Sequence, residues 1–130
     1  MALVKLIEHA DAPPAVRAVY EDIMRTRGTD RVNNFWKALA NDPALLERTW
    51  AQVKQVMAPG ALDPLVKEMV YVAVSATNGC EYCTHSHAAA ARAKGMTEAM
   101  FLELMAVVAL ANATNRLANG LRVPVDPQFL

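Results

Sequence analysis

Two Asp-Pro pairs, Asp42-Pro43 and Asp63-Pro64, stand at the head of segments in which apolar residues return every third or fourth position. An aspartate ahead of the first turn caps a helix by accepting a backbone N–H. A proline fits the first helical position, where its missing N–H has no intrahelical partner to lose. After Pro43, Leu46, Trp50, Val53 and Met57 fall on one face, and Pro59-Gly60 ends the segment. After Pro64 a helix is expected to Thr77, closed by Asn78-Gly79. The same punctuation recurs elsewhere. Val16, Tyr20, Ile23 and Met24 share a face of a helix ending at Gly28, and a short helix is expected over about Asn34–Ala40. Gly95 closes one helix, Thr97 opens the next and Gly120 closes that, with Phe101, Leu104, Met105 and Val108 as its buried stripe. No stretch alternates apolar and polar residues between turn residues, so no strand is expected and the fold class is all-α.

The stretch Met69–Ala76 is apolar nearly all round, which predicts a central helix. One tight turn separates it from a helix starting near Glu81. The two make a hairpin with Cys80 at its tip, and the next helix is expected to pack across them. The chain reads as a single domain over residues 1–130, with residues 122–130, "RVPVDPQFL", as an extended C-terminal arm. Thirteen basic residues balance thirteen acidic ones, so neither nucleic acid nor an anionic membrane is indicated as a partner. Unbroken apolar runs such as Met69–Val74 and Leu104–Ala111 fall well short of the roughly 20 residues that span a bilayer. Glu8 and Asp11 come too early for a signal-peptide apolar region, and a cytoplasmic protein is expected. Hydrophobic residues make up 54%, more than a small bundle can bury, so some apolar faces are expected to meet another copy of the chain.

The chemistry is concentrated in "NGCEYCTHSH", Asn78–His87, which holds both cysteines and two of the three histidines. In a reducing compartment a close cysteine pair is catalytic or metal-binding more often than a structural disulfide. With Cys80 near the N-cap and Cys83 in the first turn, the side chains are neighbours at i, i+3. The unpaired N–H groups and positive dipole end there favour a thiolate, so a lowered thiol pKa is expected. His87 lies one turn beyond Cys83 on the same face, placed to take or give a thiol proton. Glu68, beside the most apolar run, reads as a partly buried carboxylate with a raised pKa, poised to exchange a proton with a thiol or with His87.

Blander readings stand beside these. Glu68 could share an exposed stripe with Lys67, His87 could bond a neighbouring carbonyl, and the cysteines could be inert buried thiols. His85, two residues from Cys83, points elsewhere and reads as a surface residue. As a ligand in C-x-x-C-x-H-x-H it would serve a metal. Four donors on consecutive turns of one helix do not surround a tetrahedral ion easily, and His9 is remote, so no metal is expected. Tyr82 reads as a residue of a pocket mouth or an interface, and Trp36 and Trp50 as core or interface residues.

Taken together, Glu68, eleven residues, Cys80-x-x-Cys83, three residues and His87 resemble the motif of the alkylhydroperoxidase D / carboxymuconolactone decarboxylase family, in its peroxidase-related branch. "AAAARAKGMT" and the upstream "VNNFWKALANDPALLERTW" are similar as well, so the resemblance covers roughly Val32–Ala111. It implies an all-α fold assembled into trimers or hexamers. It also implies a thiol peroxidase or disulfide reductase, without a bound cofactor, acting in antioxidant defence on a small hydroperoxide. Cys83 would attack the peroxide and become a sulfenic acid, and Cys80 would condense with it to a disulfide. His87 and Glu68 would relay protons, and an external dithiol of lipoyl type would reset the pair. Two alternatives remain at this point: a redox-switch module with little peroxidase activity, and a non-catalytic oligomeric or metal-binding protein.

Overall fold

The computed structural model describes all residues, Met1–Leu130. It has six α-helices and no strand: α1 (Pro14–Arg27), α2 (Asn34–Leu39), α3 (Pro43–Met57), α4 (Pro64–Thr77), α5 (Glu81–Ala93) and α6 (Glu98–Gly120). Short 3-10 turns lie at His9–Asp11 and Pro127–Phe129. The chain divides into two compact units, Met1–Ala58 with α1–α3 and Pro59–Leu130 with α4–α6. The expected caps are formed: Asp42 accepts from the Leu45 N–H, Asp63 from Leu65 and Thr97 from Met100.

In the first unit the apolar faces of the three helices close on one cluster, with Val16, Tyr20 and Ile23 from α1, Trp36 from α2, and Leu46 and Trp50 from α3. Both tryptophans are therefore core residues. Their rings meet edge to face at 5.4 Å and 83°, and the Arg27 guanidinium lies 5.5 and 5.4 Å from their centroids. Trp50 buries its ring yet keeps its polar atom satisfied, because Nε1–H donates to Asp22 at 2.7 Å. Asp22 also pairs with Lys54 and Arg25, and these bonds, that from Lys54 foremost, hold its carboxyl down at about 2. The Tyr20 hydroxyl donates to the Ile7 carbonyl at 2.9 Å and pins the segment ahead of α1.

In the second unit α4 and α5 form the expected hairpin. Val72 of α4 is fully buried against Ala88 and Ala91 of α5, where the small side chains let the backbones approach. Met69, Met96, Met100, Met105, Phe101 and Leu104 fill in around them. Asn112 of α6 donates to the Thr77 hydroxyl of α4 at 3.0 Å. Two expectations need correction. Within the chain α4 is not a central helix: it buries the single stripe Glu68, Val72 and Ser75, and leaves Val66, Val70 and Val74 exposed. The stripe of α6 faces inward but is only half-buried, and no residue of α6 is fully buried. The reason is geometric, since three helices cannot wrap a helix that is apolar on every side. Averaged over its best window, α6 reaches a mean hydropathy of 1.2 and is long enough to cross a bilayer, although no unbroken apolar run within it is that long. Its Asn112, Asn115, Arg116 and Asn119 interrupt the apolar surface.

Candidate active site

The site is built at the joint between α4 and α5. After Thr77, Asn78 keeps helical angles and Gly79 turns left-handed at φ 69°. The Cys80 N–H then reaches back to the Ser75 carbonyl at 2.9 Å and the Gly79 N–H to Ala76 at 3.2 Å, the paired bonds of a Schellman closure. A side chain at position 79 would be strained by that φ, which is the physical reason for glycine there.

Cys80 thus finishes one helix and begins the next. It is the N-cap of α5, and its Sγ accepts the Cys83 N–H at 3.3 Å. The Cys80 carbonyl receives both the N–H and the hydroxyl of Thr84 at 2.9 Å, which pins the first turn. Both sulfurs are half-buried and both are free thiols. The expected lowering of thiol pKa does not hold for Cys83. Burial pushes its thiol up, and the hydrogen bond to the Cys80 sulfur and the charge there push it further, to about 11. The Cys83 N–H at the start of α5 is donated to the Cys80 sulfur and not to that of Cys83.

That arrangement has a measurable consequence. With a pKa of about 11, roughly one Cys83 in ten thousand is ionised at pH 7, so alkylation should be slow and should quicken about tenfold per pH unit. Two of the three causes of the shift come from Cys80. Cys80→Ser is therefore expected to bring the Cys83 ionisation down, read as thiolate absorbance against pH. An unchanged or higher midpoint in the variant would contradict this account.

Glu68 and His87 are brought together across the hairpin. Glu68 belongs to the buried stripe of α4, and its Oε2 lies 2.7 Å from the His87 Nδ1 on α5. The Lys94 ammonium, just beyond α5, stands 3.4 Å from Oε1. Glu68 was expected to have a raised pKa, and here the structure differs. Burial is the largest single influence and does raise it, but the hydrogen bond and charge of His87 together with those of Lys94 outweigh burial and leave it lowered. The carboxylate is ionised, 7% exposed, and paired on both oxygens. By accepting at Nδ1 it selects the imidazole tautomer that leaves Nε2 as the basic nitrogen.

Two residues not singled out in the sequence complete the surroundings. Lys94 lies seven positions after His87, two turns along the same face. Tyr71, three positions after Glu68, stacks on the His87 ring with centroids 3.6 Å apart and planes at 18°. Those helical spacings were visible in the sequence, but only the packing of α4 on α5 makes them neighbours of the same groups. Tyr82 and His85 line an open depression of about 560 Å³ together with Glu81 and Ser86. No group of three or more histidine, cysteine, aspartate or glutamate side chains is disposed to hold a metal ion.

An all-α unit with a dithiol at the mouth of a helix hairpin and a carboxylate–imidazole pair behind it defines a class that the comparisons then specify. The chain belongs to the carboxymuconolactone decarboxylase family, whose model matches residues 43–126. Within that family it is AhpD-like. A crystal structure of the alkylhydroperoxidase AhpD core from Rhodospirillum rubrum ATCC 11170 superposes with a TM-score of 0.96 at 57% identity, over 99% of this chain and 97% of that one. The alkyl hydroperoxide reductase AhpD of Solibacter usitatus (strain Ellin6076) is 40% identical over 73 residues, 56% of this chain and 40% of that protein. The uncharacterized protein 4 in cox locus of Paracoccus denitrificans is 38% identical over 56 residues, 43% of this chain and 50% of that protein. These matches span half or less of either curated relative.

Proposed function

We propose that the protein is a dithiol-dependent hydroperoxide reductase. The observation that carries the reading is the ionised Glu68 bonded to His87 Nδ1, on the same hairpin as two free thiols. A thiol that burial and its neighbour keep protonated needs a base, and the imidazole one turn along the helix supplies one. In this mechanism His87 Nε2 takes the Cys83 proton. The Cys83 sulfur attacks one peroxide oxygen, an S–O bond forms and the O–O bond breaks. The departing alkoxide collects the proton from His87 and leaves as an alcohol. Sulfur has lost two electrons and the peroxide has gained them. The Cys80 sulfur, held at the cap of α5, then attacks the Cys83 sulfenic acid, and the disulfide forms as water leaves. An external dithiol of lipoyl type restores both thiols by exchange. The names of the two AhpD relatives support the substrate class.

The test is hydroperoxide consumption with dihydrolipoamide as reductant, for the native protein beside Cys83→Ser and Cys80→Ser. Turnover is expected in the native protein and in neither variant, with a sulfenic acid trapped in Cys80→Ser alone. Trapping in Cys83→Ser instead would exchange the two roles. A native protein that forms the disulfide reversibly but consumes no peroxide would be a redox module, and the peroxidase reading would be wrong.

The same reading includes self-association. Val66, Val70 and Val74 of α4 and, on α6, Leu102, Val107, Leu110 and Leu117 are exposed in the second unit. A trimer or hexamer in the cytoplasm is the assembly proposed. Sedimentation should give a mass that is a multiple of 14.2 kDa, and a monomer at micromolar concentration would refute it.

A further inference from the structure

Resting on that reading of the site, we infer that Tyr71 is a positioning residue for His87: its ring, stacked on the imidazole, holds the plane in which Nδ1 meets Glu68 and Nε2 is presented to the reacting thiol. The geometry argues for this in three ways. First, one hydrogen bond fixes a single point of a planar ring. With the side chain tethered at Cβ, the bond from Nδ1 to Glu68 at 2.7 Å still lets the imidazole rock through coupled changes of its two side-chain torsions. A second ring at 3.6 Å and 18° limits that rocking, because any large rotation would drive one ring edge into the other ring's face. Second, both constraints come from one helix. Glu68 and Tyr71 are three residues apart on α4, so the residue that grips the edge of the imidazole and the residue that covers its face move as one body. Third, Tyr71 stands among the reacting groups. Burial first, then the charges at Cys83, Cys80 and Glu68, raise its pKa, so the phenol stays neutral beside them.

The stack has no structural duty large enough to explain it. Tyr71 is 37% exposed and belongs to neither buried apolar cluster. A side chain there could vary in shape with little effect on the core. What it contacts is the imidazole, and misplacing a proton-transferring group by a fraction of an ångström is costly to rate.

The experiment compares native protein, Tyr71→Phe and Tyr71→Leu by nuclear magnetic resonance of labelled histidines and by peroxide kinetics. In the native protein the His87 ring protons should lie upfield of those of exposed His85, with nitrogen shifts of a single Nδ1–H tautomer. Phenylalanine keeps the ring and should keep both signatures, with kcat/KM within about 3-fold of native. Leucine removes the ring. It should release the upfield shift, mix the tautomers and lower kcat/KM by about 10- to 100-fold through kcat rather than KM. Native His87 protons at the positions of His85 would overturn the inference. So would a leucine variant with an undisturbed tautomer, or a phenylalanine variant that falls as far as leucine. The resonance signatures do not depend on peroxide turnover. If the native protein consumes no peroxide, the peroxidase reading fails while the state of the His87 ring still decides the role of Tyr71. Should Tyr71→Leu not fold, the native and phenylalanine spectra decide it alone.

Discussion

His87→Ala is expected to lower kcat/KM for a hydroperoxide by about 10²- to 10⁴-fold, the usual cost of removing a positioned general acid–base group. The argument rests on the protonation states around it. Cys83 is pushed up to about 11, so at neutral pH it attacks only after another group has taken its proton. The only imidazole held by a carboxylate in the hairpin is His87, whose Nδ1 is engaged and whose Nε2 is left basic. Raising the pH should rescue the variant, because above about 11 the thiol ionises without help. Glu68→Gln should fall between native and His87→Ala, since an amide oxygen can still accept from Nδ1 but carries no charge to stabilise the imidazolium. A different outcome would be decisive. If His87→Ala retained native turnover at pH 7 while both cysteine variants were inactive, the proton relay would be wrong even with the dithiol cycle right.

Leu46→Ala is expected to destabilise the protein by about 2–5 kcal/mol, a large part of the roughly 5–15 kcal/mol that a domain of this kind possesses. Leu46 has no exposed surface and sits in the cluster with Tyr20, Ile23, Trp36 and Trp50. Those neighbours are bulky and tied by the Asp22 and Arg27 contacts, so they cannot collapse into the space left by the removed methyl groups. Urea unfolding would measure the change, with Glu47→Ala on the exposed face of α3 as the control, expected to stay within about 0.5 kcal/mol. A loss below about 1 kcal/mol at position 46 would mean that this cluster is loosely packed.

The helices were legible because their ends are chemical. Asp42-Pro43, Asp63-Pro64 and Thr97 form caps, and Gly28, Gly79 and Gly95 turn left-handed, through bonds between residues a few positions apart. Such local chemistry needs no tertiary partner. The pairing of Cys80 with Cys83 at the start of α5 was legible for the same reason. The centrality of α4 was not, because apolar residues on every side state a need for cover without saying which side receives it within one chain.

The electrostatics divide in the same way. By itself the sequence determined where each helix starts and stops, that the thiols share one helical turn, and that Glu68 and His87 lie on neighbouring helices of a hairpin. All of these follow from spacing and capping along the chain. Only the tertiary structure decided that Glu68 is ionised and Cys83 is not, contrary to the expectation for each. A pKa depends on which groups stand within a few ångströms and how much water is excluded. Lys94 and His87 converge on Glu68, and Cys80 takes the Cys83 N–H, only once α4 and α5 have packed. The stacking of Tyr71 on His87 belongs with these, since a face-to-face contact is set by the separation and rotation of two helices, which no run of residues along one of them specifies.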